Sequence, residues 1–115
     1  MTSEYLAHKW LTELLQAPLW LGLTGEDGQE IQGEGYARVQ VNGKFNPPAN
    51  RSVINSQQIA FTKADGDWPT VTGVTTFDAP QGGNELLPGA IVEPKEISAG
   101  VRAVFDPGDI ELGVA

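Results

Sequence analysis

The chain contains no cysteine and only one histidine, His8. Without thiols there is no disulfide staple, no thiolate nucleophile and no zinc site built on sulfur. A single imidazole also excludes any two-histidine metal or catalytic centre. Bases are scarce too: seven Lys and Arg stand against fifteen Asp and Glu, a net charge of −8. Such a field repels phosphate backbones and anionic lipid surfaces, so no nucleic acid and no membrane is expected as a partner. The longest apolar runs are a few residues, far short of the roughly 20 that cross a bilayer. Glu4 and His8 interrupt the start of the chain, where a secretion signal needs a basic beginning and an unbroken apolar core. What is left is the arithmetic of one soluble domain. The 115 residues lie in the range of roughly 100–150 common for single domains, enough to hide about two-thirds of the unfolded surface.

Glycine and proline are missing from residues 2–17, whereas all 14 glycines and all eight prolines lie at or beyond Pro18. The first segment, Thr2 to Ala17, therefore reads as a helix. Leu6, Trp10, Leu11, Leu14 and Leu15 form a broad apolar stripe along it. Ser3 or Thr2 can accept a first-turn amide, Glu4 suits the positive end of the helix dipole, and Pro18 ends the run. A helix this short is marginal alone, so its stripe must be covered by something.

From Leu19 onward the period shifts to two. Leu19, Leu21 and Leu23 alternate with Trp20, Gly22 and Thr24. Val39 and Val41 flank Gln40, and Asn42-Gly43 offers a tight hairpin turn with positive φ at both positions. Ile59 and Phe61 share a face. In Thr70–Asp78, Val71, Thr75 and Phe77 point one way and Thr72, Val74 and Thr76 the other. Leu86–Val92, Val101–Phe105 and Ile110–Val114 complete the strands. The expected fold is mainly β, a single β-sandwich-like domain over 18–115, preceded by an N-terminal amphipathic α-helix as an arm over 1–17.

Candidate chemistry is thin. Asp65-Gly66-Asp67, Glu26-Asp27-Gly28 and Asp106-Pro107-Gly108-Asp109 could offer oxygen ligands to calcium, but none continues into a complete ligand loop, and Asp-Gly is ordinary turn chemistry. Fifteen carboxylates guarantee that some pair lies close, yet nothing marks one of them as a protonated acid in an apolar setting. No catalytic residue, cofactor or metal is expected. Asn50-Arg51-Ser52 matches a glycosylation acceptor and is taken as chance. Among the tryptophans, Trp10 belongs to the helix stripe and Trp68 precedes the threonine-rich strand. Trp20 falls opposite the three leucines, to be covered by the helix, by a neighbouring subunit or by a ligand. Five acids and no base separate Lys63 from Lys95, and residues 26–34 add four more acids. An acidic face of this kind suits soluble display at high density.

One stretch carries a wider likeness. Asp67 to Gly100 reads DWPTVTGVTTFDAPQGGNELLPGAIVEPKEISAG. Its tryptophan, T-V-T, F-D-A, G-G turn, L-L, Pro94-Lys95 and final glycine resemble a family of small tailed-phage virion proteins usually labelled "phage tail fibre protein". Tyr5-Leu6-Ala7-His8-Lys9 and Gly35-Tyr36-Ala37-Arg38 match as well, so the likeness covers nearly the whole chain. Pro69, where glycine is expected, and Glu85, an apparent insertion, depart from the pattern at predicted turns.

The resemblance implies a non-catalytic structural protein of a virion, made in the bacterial host cytoplasm. The position is either a capsid decoration or cement protein or a tail-fibre component, with capsid favoured on shape alone. The expected partners are further copies of the chain, with a homotrimer the favoured guess, and the major capsid protein or a tail protein beneath. The helix stripe and Trp20 are the candidate assembly interface. The competing reading is a glycan-binding module for host recognition, with Trp20 or Trp68 as a sugar platform.

Overall fold

The computed structural model describes residues 3–49 and 51–113. Thr2 as a cap, Asn50 of the acceptor pattern and Val114 of the last strand lie outside the described residues. Helix α1 spans Glu4–Gln16, with Ser3 as its N-cap. The Ser3 hydroxyl accepts from the Leu6 amide at 3.1 Å, satisfying one of the free donors of the first turn.

Eight strands follow: β1 (Trp20–Thr24), β2 (Val39–Gln40), β3 (Ser52–Ile54), β4 (Ile59–Lys63), β5 (Val71–Phe77), β6 (Glu85–Lys95), β7 (Arg102–Phe105) and β8 (Ile110–Gly113). Six of them form an antiparallel sheet in the order β2-β1-β5-β6-β8-β3, and β4 pairs with β7 in a second sheet. The sheets curl into a mainly β, sandwich-like half-barrel. Leu21, Leu23, Val74, Leu112 and Val53 from the large sheet share one buried cluster with Ile59, Phe61, Ala103 and Phe105 from the small one. Phe61 and Phe105 meet edge-to-face, with ring centroids 6.0 Å apart, a favoured aromatic geometry.

The local structure differs from the sequence pattern in several places. β3 carries no alternating run of its own; it is a strand because Ser52–Ile54 pair with Gly113–Glu111 of β8. The strict alternation expected in β5 fails, since Val71, Val74, Thr75, Thr76 and Phe77 are all buried. Its register against β6 shifts between Val71 and Gly73, and both its faces are covered. Its threonines survive burial because each hydroxyl has a partner: Thr75 donates to Glu85 at 2.6 Å and Thr76 to the Leu87 carbonyl at 2.8 Å. Glu85 thus opens β6 instead of lying in a turn.

The Asn42-Gly43 turn is present but is not a hairpin with two positive φ angles. Among the non-glycine residues described, only Arg51 has positive φ; Gly43 sits at +78°. The Lys44 amide donates to Val41 across the turn, so positive φ at the third position alone fits a type II turn. Asn42 is thereby freed to face the helix.

β6 has two unlike faces. Leu87 and Ile91 pack against the core. Leu86, Pro88, Ala90 and Val92, alternating with them, are exposed. The other half of the outer sheet surface, over β1 and β5, is roofed by the loop that carries Glu30, Tyr36 and Arg38.

Candidate functional site

The helix stripe does not behave as one surface. Leu11 is 1% exposed and belongs to the domain's core, and Leu14 and Leu15 pack partly against that core. Leu6 and Trp10 remain 39% and 49% exposed, and Tyr5, on another face of the helix, is 75% exposed. Leu6 and Trp10 are four residues apart and so adjacent on the helix surface. The stripe is therefore split lengthwise. One flank closes the β domain, and the other leaves Leu6 and Trp10 open to solvent.

Asn42 holds the helix in this orientation. Its amide donates to the carbonyls of Leu15 and Ala17 at 3.2 and 2.7 Å, two of the acceptors that a helix C-terminus leaves free. Its oxygen accepts from the Leu19 amide at 3.0 Å. One side chain thus ties the helix end, the Pro18 joint and the first strand together. α1 also lies against β3.

Of the remaining predicted residues, Trp20 opens β1 between Gln40 and Phe77 and is half-buried. Trp68 is only 6% exposed. Its indole N–H donates to the Glu34 carbonyl at 2.9 Å and its ring meets Tyr36 edge-to-face. A sugar platform needs an open ring face, and Trp68 has none.

The polar centre of the structure is a group that sequence reasoning did not find. Arg38 donates to both carboxylate oxygens of Glu30, at 2.8 and 2.9 Å, and to the carbonyls of Ala79 and Gly82 at 2.9 Å each. Its guanidinium stacks on Phe77, 3.3 Å from the ring centroid. Tyr36 donates to Glu30 at 2.6 Å and accepts from the Leu23 amide at 3.0 Å. Gly22 makes room for the group, because a Cβ there would lie 2.7 Å from the Glu30 carboxylate and 2.9 Å from the Tyr36 hydroxyl.

Charge settles into this arrangement. Burial pushes the Glu30 carboxyl up, but the hydrogen bonds from Arg38 and Tyr36 and the Arg38 charge together hold it below its ordinary value. Burial, followed by donation to Glu30, holds the Tyr36 phenol above its own. Glu30, Tyr36 and Arg38 are paired with one another and with the backbone. The group rivets two loops to the sheet.

Carboxylates of the acidic turns are likewise occupied with backbone amides. Asp27 accepts from Gln29, Asp67 from Ala99 and Asp109 from Asp106, each at 2.9 Å. Among the described residues no group of three or more His, Asp or Glu is arranged to hold a metal ion. No helix among them is long and apolar enough to cross a membrane.

Compared with known proteins, the chain matches the family model described as "Podophage GP4 fiber I protein gp80" over residues 2–113. No curated protein matches it.

Proposed function

Because the chain belongs to the Podophage GP4 fiber I protein gp80 family, we propose that it is a non-catalytic structural subunit of a tailed-phage virion, placed at the fibre and acting through self-association. The single observation that carries this beyond the family is the split helix. A flank bearing Leu6 and Trp10 stays open while another flank is fixed in the core by Leu11. Large aromatics on a rigid element are what subunit contacts are built from. The satisfied state of the Glu30–Tyr36–Arg38 group supports a non-catalytic role, since its side chains are already paired with one another.

The domain measures 43 × 26 × 26 Å, and a homo-oligomer, with a trimer as one form, is a way for such a unit to build fibre length. Summed over many copies, modest contacts become persistent. Decoration of the capsid is the second position compatible with the same surface. The glycan-binding reading is left with Trp20, since Trp68 is enclosed.

Titrating the protein with host polysaccharide while following tryptophan fluorescence separates these classes. A structural subunit gives no saturable shift but co-sediments with particles that lack it. A saturable shift abolished by Trp20→Ala, without co-sedimentation, would overturn the structural reading.

A further inference from the structure

Asn42-Gly43 is the one Asn-Gly pair in the chain, and such a pair is chemically labile. The backbone nitrogen of Gly43 can attack Cγ of the Asn42 side chain. A C–N bond forms to Gly43, the bond from Cγ to Nδ2 breaks, and Nδ2 leaves as ammonia with the proton given up by the Gly43 amide. One water molecule then opens the succinimide ring, giving either an aspartate or its isomer with an extra methylene in the main chain. A following glycine favours the attack because it has no Cβ to obstruct the approach. Gly43 is exposed and Asn42 half-buried, so water reaches the joint.

Two features of the fold oppose ring closure. The ring needs the Gly43 nitrogen to eclipse Cβ of Asn42, and a type II turn holds it roughly a third of a rotation away about the Cα–C bond. The nitrogen that must leave is also the one bonded to the Leu15 and Ala17 carbonyls, at 3.2 and 2.7 Å. Oδ1 accepts from the Leu19 amide and from the Gln40 side chain, at 3.0 Å each. Turning the carboxamide toward Gly43 breaks these bonds.

The bonds to Leu15 and Ala17 last only while α1 is docked. Of the thirteen helix residues, Ala7 and Leu11 are the buried ones, and a helix of that length is marginal by itself. Elements with few buried contacts open before the sheet they lie on.

From these observations we infer that Asn42 is a deamidation site gated by helix α1, closed while the helix is docked and open when it lifts away. The modification reinforces its own cause. A carboxylate at this position has no donor for the Leu15 and Ala17 carbonyls and sets negative charge at the helix C-terminus, where the dipole opposes it. The isomer lengthens the turn as well. Deamidation is thus a one-way release of the helix. It is independent of the virion role, since only the chemistry of the joint enters it.

The test uses the full chain in warm, mildly alkaline buffer, with urea in steps up to full unfolding. Peptide mass spectrometry follows the gain of one mass unit at Asn42, and hydrogen exchange follows the α1 and β5 amides in the same samples. Without urea, Asn42 should deamidate at least about tenfold more slowly than in the unfolded chain. As urea is added, the rate should rise together with exchange of the α1 amides, before β5 opens. Leu11→Ala, which loosens the docked flank, should raise the rate without urea. Purified deamidated protein should show faster exchange in α1 with β5 unchanged.

Equal rates in the native and unfolded chain overturn the inference, as does a rate that rises only when the β5 amides exchange. So does deamidated protein whose α1 amides exchange as slowly as before. Where Leu11→Ala does not fold, the urea series on the unmodified sequence decides alone.

Discussion

Replacing Asn42 by alanine removes the clamp between helix and sheet, and its effect can be worked from the three backbone groups involved. The Leu15 and Ala17 carbonyls lie at a helix end, where water can take over part of the lost bonding. The Leu19 amide is different, since Leu19 is fully buried and its N–H points at the Asn42 oxygen. Leaving a buried donor without a partner costs about 1–3 kcal/mol, against about 0.5–1.5 for an ordinary hydrogen bond exchanged with water. The orphaned amide therefore dominates, and Asn42→Ala should destabilise the fold by about 2–3 kcal/mol. Urea denaturation followed by far-UV circular dichroism and by tryptophan fluorescence measures it. Asn42→Asp is the informative companion. It keeps an acceptor for Leu19 but loses both donors and puts negative charge at the helix C-terminus, where the dipole opposes it. It should therefore also be destabilised at neutral pH. An Asn42→Ala midpoint within experimental error of the native protein would refute the clamp.

Further expectations follow from single contacts. Gly43→Val should cost about 1–3 kcal/mol through backbone strain alone, because its φ is +78° and an added Cβ would meet nothing within 4 Å; an unchanged denaturation midpoint would contradict this. Arg38→Met leaves the Glu30 carboxylate without its cation and should cost about 3–5 kcal/mol if the site stays dry, less where water enters. A loss below about 0.5 kcal/mol, the scale of an exposed pair, would show that the group is not a rivet. Glu30 has its carboxyl held below the ordinary 4.5, so its contribution is present above that pH and is lost as pH falls through the lower folded value. Arg38→Met should flatten that part of the acid limb in a pH series of urea midpoints, and an unaltered limb would argue against it. Chelator should leave the melting temperature unchanged, and a drop restored by calcium would mean that the turns at Asp65–Asp67 or Asp106–Asp109 hold an ion.

The architecture was legible where periodicity decides it. The helix, the strand around Leu21 and the last three strands follow from spacing, and the threonine-rich strand from its density of β-branched residues. β3 was not legible, because Ser52–Ile54 is too short to show a period and becomes a strand only by pairing with β8. Asn42 was read from its neighbour Gly43, which correctly marks a turn. Turn propensity says nothing about where the Asn side chain goes, and its partners, Leu15 and Ala17, lie more than twenty residues away. The stripe itself was visible, but a period of 3.6 cannot say which flank the rest of the chain will cover. That flank is set by Leu11 entering a core assembled from strands far along the sequence. The Glu30–Tyr36–Arg38 group was invisible for a related reason. Its space is made by a glycine on β1 and its stacking surface by Phe77 on β5, neither of which carries a charge pattern that could announce it. The one signal available was an arginine in a stretch otherwise rich in acids.

The proposed virion role is tested most directly by immunogold labelling of intact phage particles with antibody raised against this chain. Tailed particles show capsid, tail and fibres as separate features, so the position of the gold reports the position of the protein. Fibre-associated label, absent from particles of a phage deleted for the gene, is the result expected. Label over the capsid alone would move the protein to decoration. Particles that carry no label, while the protein is abundant in the infected cell, would contradict a structural role in the virion.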